Sequence, residues 1–290
     1  MPWAFGHLRL GFSSLGIRVI IPKSTFYFIV PVYNETANIG NLLKSLRIIS
    51  IDSEKGYHIK VIIVDDGSRD GTSDRARQSA NGLDIVILKH EQNQGPGRAF
   101  GTGFSYLASV MKEDDLVVTM EGDNTSRIEL LKQMLHRLEE GYDVVLASPY
   151  LYGGGIENTN SWRVFLSGMA NLFVKELLGI HGLFTVSSFF RLYRTSFLRK
   201  LQMRYGPEII ERNGFECMTE LIMKMVYMNA KISEVDMVLD AKARIGKSKM
   251  KIFKTINGYF SLWFMAREWR SLSRGVEIET GDQQNGILES

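Results

Sequence analysis

The sequence predicts an α/β fold built on a mostly parallel central sheet. Three observations carry that expectation. Apolar runs of strand length alternate with segments of helical spacing through the first half of the chain, the pattern of a sheet covered by helices on both faces. Three of those runs end abruptly in acidic, turn-forming residues: Val32-Tyr33-Asn34-Glu35, Val64-Asp65-Asp66-Gly67-Ser68 and Met120-Glu121-Gly122-Asp123. In an open α/β sheet the carboxyl ends of the strands line the ligand crevice, so the three acidic tips project into one cleft. Finally, 290 residues are enough for one large α/β domain with a sizeable core.

Each element can be justified in turn. Phe26 to Val32 is a continuous apolar run, a buried strand. Ile39, Leu42, Leu43 and Leu46 share one helical face. Lys60 to Val64 is the second strand, and Gly71-Thr72-Ser73-Asp74 opens a helix with a hydroxyl or carboxylate available as N-cap. Asp84 to Leu88 is a strand, Gly97 to Met111 a helix with small residues on one side, and Leu116 to Met120 a strand. Ile128, Leu131, Met134, Leu135 and Leu138 mark the next helix, and Val144 to Ala147 the next strand.

The second half changes character. Tyr152-Gly153-Gly154-Gly155 is a flexible break. Helices are expected over Trp162 to Leu178 and Phe215 to Met228, with a strand over Ile232 to Val238. Between 242 and 254 lie Lys242, Arg244, Lys247, Lys249, Lys251 and Lys254, with no acid among them. Beyond, Ile252, Phe253, Ile256, Tyr259, Phe260, Trp263 and Phe264 form an apolar face at helical spacing. Basic residues before such a helix suit an anionic membrane surface; a helix docked on the domain is the alternative. The chain divides into an extension (1–25), a main domain (26–240) with two halves (26–150 and 151–240), a basic loop and amphipathic helix (241–275), and a disordered tail (276–290).

Composition excludes several classes. Hydrophobic content of 44% and charged content of 23% are ordinary for a globular protein. A net charge of +3 gives no argument for a nucleic-acid partner. One cysteine, Cys217, rules out an intramolecular disulfide framework and a cysteine-rich zinc site. No run of about 18 to 20 apolar residues suggests a membrane-spanning helix. The first residues read poorly as a signal peptide, because Gly11, Gly16 and Arg18 interrupt their apolar character. They are expected either to be flexible or to touch a membrane surface.

The acidic tips and their spacing resemble the family 2 glycosyltransferases, a likeness that runs from about Phe26 to about Lys251. Val30-Pro31-Val32-Tyr33-Asn34-Glu35 is similar to that family's opening strand and loop, and Val64-Asp65-Asp66-Gly67-Ser68 to its second strand tip. Glu121-Gly122-Asp123 stands at its Asp-x-Asp metal motif. Ser188-Phe189-Phe190-Arg191, Gly214-Phe215-Glu216 and Arg244-Ile245-Gly246-Lys247-Ser248-Lys249 resemble the polyprenyl-phosphate sugar transferases, the group of dolichyl-phosphate mannose synthase. The resemblance implies a nucleotide-sugar-binding, Rossmann-like glycosyltransferase A fold with acceptor-side helices toward the C-terminus. It implies that Pro31, Tyr33 and Glu35 frame the base and ribose, with Asp65 or Asp66 on the nucleotide.

The residue chemistry agrees at several points. Alternate carboxylates leaving a strand, Glu121 and Asp123, can aim at one hard divalent cation, Mg²⁺ or Mn²⁺, bridging a diphosphate. Glu121 replaces the family's first Asp and reaches one methylene further. Asp123 is therefore the surer ligand. Asp-Asp-Gly-Ser is also good turn chemistry in its own right. Gly95-Pro96-Gly97-Arg98 looks like a phosphate loop, but its glycine spacing is not the dinucleotide fingerprint. Arg163, Arg191 and Arg194 are candidate phosphate readers, since guanidinium binds phosphate bidentately. The family's acid before the Ser-x-Phe-Arg segment is missing from His181-Gly182-Leu183-Phe184-Thr185. Arg244, Ser248 and Lys249 are expected at the donor diphosphate.

These readings converge on an inverting glycosyltransferase that moves a sugar from a GDP- or UDP-sugar to polyprenyl or dolichyl phosphate. The expected catalytic residues are Asp123, Arg191 and Glu216. The enzyme would sit peripherally on the cytoplasmic face of a membrane. Two alternatives stand beside it. One is a transferase that extends a glycan, with Glu216 or Glu220 as general base. The other is a nucleotide-sugar-binding protein without activity.

Overall fold

A computed structural model describes residues 24–52, 57–158, 161–240, 242, 243, 245 and 252–285. Nearly all of the N-terminal extension, together with Arg244, Ser248 and Lys249, lies outside the described residues. Arg163 lies in a described helix, but its side chain falls outside the description.

Four strands open the fold: β1 (Thr25–Val32), β2 (His58–Asp65), β3 (Asp84–Lys89) and β4 (Leu116–Thr119). Between them run α1 (Ile39–Asp52), α2 (Thr72–Ser79) and α3 (Pro96–Val110). A 3₁₀ turn (Ile128–Leu130), α4 (Leu131–Glu139), β5 (Val144–Ser148), β6 (Gly155–Glu157) and α5 (Ser161–Leu178) follow. The chain continues through β7 (Arg191–Arg194), α6 (Thr195–Tyr205), α7 (Cys217–Tyr227), β8 (Ile232–Asp236), β9 (Val238–Asp240) and α8 (Ile252–Asn285).

Seven strands form one sheet in the order β3-β2-β1-β4-β7-β5-β8. Every neighbouring pair is parallel except those made by β7, which is antiparallel to β4 and β5. β6 and β9 pair in a separate two-stranded sheet. The expected mostly parallel sheet is present, and its central strands are buried on both faces as such sheets require. Alternate residues of β1 serve the two sides. Phe28 and Val30 pack with Leu42, Leu43 and Leu46 of α1. Tyr27 and Ile29 face a second cluster with Phe100 and Phe104 of α3 and Leu221 and Ile222 of α7.

Several elements differ from the sequence expectation. β7 has the sequence Arg-Leu-Tyr-Arg, with no apolar run to announce it, yet Arg191, Leu192 and Tyr193 are buried. α6 was not anticipated either, although Phe197, Leu198 and Leu201 pack its inner face. The run read as one strand over 232–238 breaks at Met237, whose amide donates to the Ser148 carbonyl at 3.0 Å. β8 stays in the main sheet and β9 leaves it. α2 has no side-chain cap on its Gly71 N-cap, which sits at φ 82. Asp70 serves instead, accepting the Thr72 amide at 3.1 Å. α8 runs on to Asn285, through much of the stretch read as a tail.

Candidate active site

The site begins where β1 and β2 end level with each other, Val32 opposite Asp65. The loops that follow are stapled together. The Asp66 amide donates to the Val32 carbonyl at 2.9 Å. The Asn34 amide donates to Ser68 Oγ and the Glu35 amide to Thr72 Oγ1, both at 2.9 Å. The Arg69 amide donates back to Asn34 Oδ1 at 3.0 Å. Tyr33 and Glu35 are thus held beside the second strand tip by backbone and hydroxyl groups.

Asp65 and Asp66 build this wall from inside. Asp65 is fully buried; Oδ1 accepts the Ser68 amide at 2.8 Å and Oδ2 accepts the Ser73 hydroxyl. Asp66 accepts the amides of Gln94 at 2.9 Å and Gly95 at 2.8 Å, one on each oxygen. Its Oδ1 also meets His90 Nδ1 at 2.7 Å, while His90 Nε2 sits 3.0 Å from Thr102 Oγ1. The glycine-rich segment is therefore hung from Asp66. Its glycines serve backbone packing, since a Cβ on Gly97 would lie 1.9 Å from the Arg212 carbonyl oxygen and one on Gly95 2.3 Å from that of Asn213. The Gly97 amide donates to the Asn213 carbonyl at 2.9 Å. Arg98, once a phosphate candidate, lies 3.6 Å from Glu208.

The third tip closes against the first. A Cβ on Gly122 would fall 2.7 Å from Val32 Cγ1 and 3.2 Å from the Pro31 carbonyl oxygen, so Glu121-Gly122-Asp123 crosses directly over Pro31. Asp123 Oδ1 accepts the Thr125 amide at 3.1 Å and its hydroxyl at 2.6 Å. Glu121 Oε2 accepts the Ser126 hydroxyl at 2.6 Å. Among the described residues, no group of three or more His, Cys, Asp or Glu side chains is placed to hold a metal. Two strand-end carboxylates without a third fit a cation that completes its shell with phosphate oxygens. Such sites use one or two carboxylates plus substrate phosphates.

The second half of the main domain, the acceptor half by the family resemblance, corrects three expectations. Arg191 is fully buried. Its guanidinium donates to three backbone carbonyls, Ser188 at 2.6 Å, Met218 at 2.8 Å and Val186 at 2.9 Å. It braces β7 to α7 and is not placed to read a lipid phosphate. Arg194 likewise donates to the carbonyls of Tyr142, at 2.8 Å, and Leu138. Glu220 does not fit the role of general base. It is fully buried, sits 2.7 Å from Lys224 Nζ and accepts the amides of Glu211 and Arg212. Burial raises its pKa, partly countered by Lys224.

Glu216 stays a candidate. It holds the N-cap position of α7 without a side-chain cap bond, and its Oε1 lies 3.6 Å from Arg212 Nε. Both line a hollow with Asn257, Gly258, Phe260, Ser261 and Phe264 of α8. Arg212 is a partly exposed cation that sequence reasoning passed over, because no phosphate-reading motif surrounds it. Glu234, from β8, accepts the amides of Phe184 at 2.6 Å and Thr185 at 2.8 Å.

Comparison with known proteins agrees with this geometry. The family model for glycosyl transferase family 2 matches residues 27–202. The undecaprenyl-phosphate mannosyltransferase of Micrococcus luteus is 26% identical over 247 residues, 84% of this chain and 96% of that protein. The polyprenol monophosphomannose synthase of Mycolicibacterium smegmatis is 26% identical over 231 residues, 79% of this chain and 82% of that protein. Among solved structures, glucosyl-3-phosphoglycerate synthase from Mycobacterium tuberculosis, in complex with Mn²⁺, UDP and phosphoglyceric acid, superposes with a TM-score of 0.58 at 15% identity. That match covers 86% of this chain and 78% of the other. Sheet order, acidic strand tips and the family match over more than half the chain lead to one conclusion: the protein has the glycosyltransferase A fold and belongs to glycosyl transferase family 2.

Proposed function

We propose that the protein transfers a sugar, with inversion, from a nucleotide-sugar to polyprenyl phosphate at a membrane surface. The observation that carries this reading is the convergence of three acidic strand tips, with Glu121-Gly122-Asp123 lying across Pro31. The names of the two bacterial relatives supply the acceptor class.

The loop of Pro31, Tyr33 and Glu35, together with the turn of Asp65 and Asp66, forms the nucleotide wall. The internal bonds of Asp65 and Asp66 make them builders of that wall first. Any direct nucleotide contact uses a remaining lone pair. Asp123 and Glu121 would hold Mg²⁺ or Mn²⁺, which supplies Lewis-acid stabilisation of the departing nucleoside diphosphate. The acceptor shapes what the protein must do. A phosphate monoester has a second pKa of about 6 and is largely ionised at neutral pH. It needs no strong general base, so the protein's task is alignment. A phosphate oxygen forms the bond to C1 as the bond from C1 to the diphosphate breaks, and the diphosphate takes the electron pair. With Arg191 and Glu220 both committed internally, we assign Arg212, beside Glu216, to the acceptor phosphate. Arg163, Arg244, Ser248 and Lys249 keep their proposed places near the phosphates.

An exposed apolar surface supports the membrane site. Phe165, Met169, Leu172 and Phe173 of α5 are exposed, as are Phe260, Trp263 and Phe264 of α8. The rings of Phe173 and Phe260 lie 6.1 Å apart, so the two faces adjoin. Among the described residues no helix is long and apolar enough to cross a membrane. A peripheral position on the cytoplasmic face is our reading of this surface. Phe264 lines the hollow at Arg212 and Glu216, so an isoprenoid tail lying along α8 would bring its phosphate to that hollow. The test is transfer from GDP- or UDP-sugars to polyprenyl phosphate by Arg212→Ala and parent protein. Acceptor KM should rise in the variant with donor KM unchanged; an unchanged acceptor KM removes Arg212 from the site.

A further inference from the structure

Asn38 does more than begin the first helix. Its side chain is 1% exposed and every hydrogen-bonding group on it is used. Nδ2 donates to Glu35 Oε2 at 2.6 Å and to the Ile245 carbonyl at 3.1 Å. Oδ1 accepts the Ile245 amide at 2.9 Å. The carboxamide therefore pairs with one backbone unit 207 residues away in the same two-way pattern that joins neighbouring strands. The Asn38 main-chain carbonyl accepts Asn124 Nδ2 at 3.0 Å, and Asn124 directly follows Asp123. One buried amide thus ties together the nucleotide loop at Glu35, the turn after Asp123 and the backbone of the basic stretch.

We infer that Asn38 is a positioning residue that registers the basic stretch around Ile245 against the donor side of the site. The Ile245 side chain is 59% exposed, so burial of that side chain does not hold the backbone there. The chemistry specifies asparagine. Aspartate keeps an acceptor for the Ile245 amide but loses both donors and sets a second carboxylate against Glu35. Alanine loses all three bonds. Lys242 and Arg244 lie within three residues of the anchored unit along the chain, and it is under the proposed reaction that this stretch serves the donor diphosphate. This inference rests on the proposed reaction only for its kinetic consequence.

The experiment compares parent, Asn38→Ala, Asn38→Asp and Ile245→Pro. The proline removes the amide that Asn38 Oδ1 accepts and alters an exposed position, so it answers the question even if the Asn38 variants fail to fold. Trypsin cleavage after Lys242, followed by mass spectrometry without ligands, reads the anchor in every variant, since Ile245→Pro makes the bond after Arg244 resistant to trypsin. Cleavage should quicken roughly tenfold in all three variants, as local opening exposes the backbone. Steady-state transfer to polyprenyl phosphate reads the function. The kcat should fall roughly 10- to 100-fold, the scale of a small misplacement of a positioning element, while donor KM stays within about threefold. Unchanged cleavage overturns the anchor. Faster cleavage with parental kcat overturns the positioning role. A parent that transfers nothing overturns the acceptor reading instead, and the cleavage arm still decides the anchor.

Discussion

At the scale of single residues, the carboxylates divide into those that build loops and those that face the chemistry. Asp66 spends both oxygens on the amides of Gln94 and Gly95. Asparagine there can accept only one of them and turns its NH₂ toward the other. Asp66→Asn should therefore lower the melting temperature and raise donor KM together. A variant that changed KM alone would show that Asp66 touches nucleotide without shaping the loop. Asp123 belongs to both groups, since its Oδ1 also accepts the Thr125 amide and hydroxyl. Asp123→Ala should cut metal-stimulated transfer roughly 100- to 1,000-fold, the scale for removing one group that stabilises transition-state charge. Loss of the two Thr125 bonds should lower the melting temperature modestly with the fold intact, and Glu121→Asp should be mild or activating. Near-normal turnover of Asp123→Ala with metal present would remove it from the site. Arg191→Met should act on stability and not on acceptor KM, at about 1–3 kcal/mol for each buried carbonyl left without a donor. Chemical denaturation read beside acceptor kinetics checks it.

At the scale of elements, α8 is the piece that joins the domain to the proposed membrane surface. A buried polar cluster docks it. Lys224 Nζ, fully buried, sits 2.6 Å from Glu211 and 2.7 Å from Glu220, and Trp269 Nε1 donates to Glu211 at 3.0 Å. The Lys224 ammonium also lies 4.8 Å from the Trp269 ring centre. Lys224→Met should leave the buried Glu220 carboxylate without its cation and cost about 3–5 kcal/mol, seen as a lower denaturant midpoint. Retained stability would mean that α8 docks by apolar contact alone. The outer face should behave differently. Phe165→Glu with Phe264→Glu should leave the fold intact and weaken binding to anionic vesicles roughly tenfold or more, since each buried aromatic contributes about 1.5–3 kcal/mol. Vesicle sedimentation that matched the parent would show that this face meets something other than a bilayer.

The same elements show what a sequence can and cannot announce. β1, β2 and β4 were legible because strands covered on both faces are continuously apolar and end in polar turns. The three acidic tips were legible because each tip closes its own strand within a few residues. β7 was not, because Arg191 and Arg194 satisfy their charge on carbonyls, of which those of Met218, Tyr142 and Leu138 come from distant segments. Their burial depends on contacts that no local pattern records. The same reason misassigned Arg191 as a phosphate reader and hid the pairing of Asn38 with Ile245, which joins residues 207 positions apart. Glu234 likewise supplies its carboxylate to the 184–185 backbone from another strand, a bond that no local pattern records.

At the scale of the whole molecule, one arrangement unites these features. The nucleotide half presents a wall stapled from three strand tips, the acceptor half places Arg212 and Glu216 beside α8, and the apolar faces of α5 and α8 adjoin outside it. The Asp66 loop connects the halves, since Gly95 and Gly97 touch the backbone of Asn213 and Arg212. The central claim is that this cleft passes a sugar to a lipid phosphate. It is tested most directly by incubating purified protein with GDP- and UDP-sugars, polyprenyl phosphate in anionic vesicles and Mg²⁺ or Mn²⁺, with a soluble sugar acceptor in a parallel arm. The account predicts a metal-stimulated, acid-labile lipid-phosphate sugar from one donor, lost in Asp123→Ala, and little product on the soluble sugar. Faster transfer to the soluble sugar than to polyprenyl phosphate would contradict it.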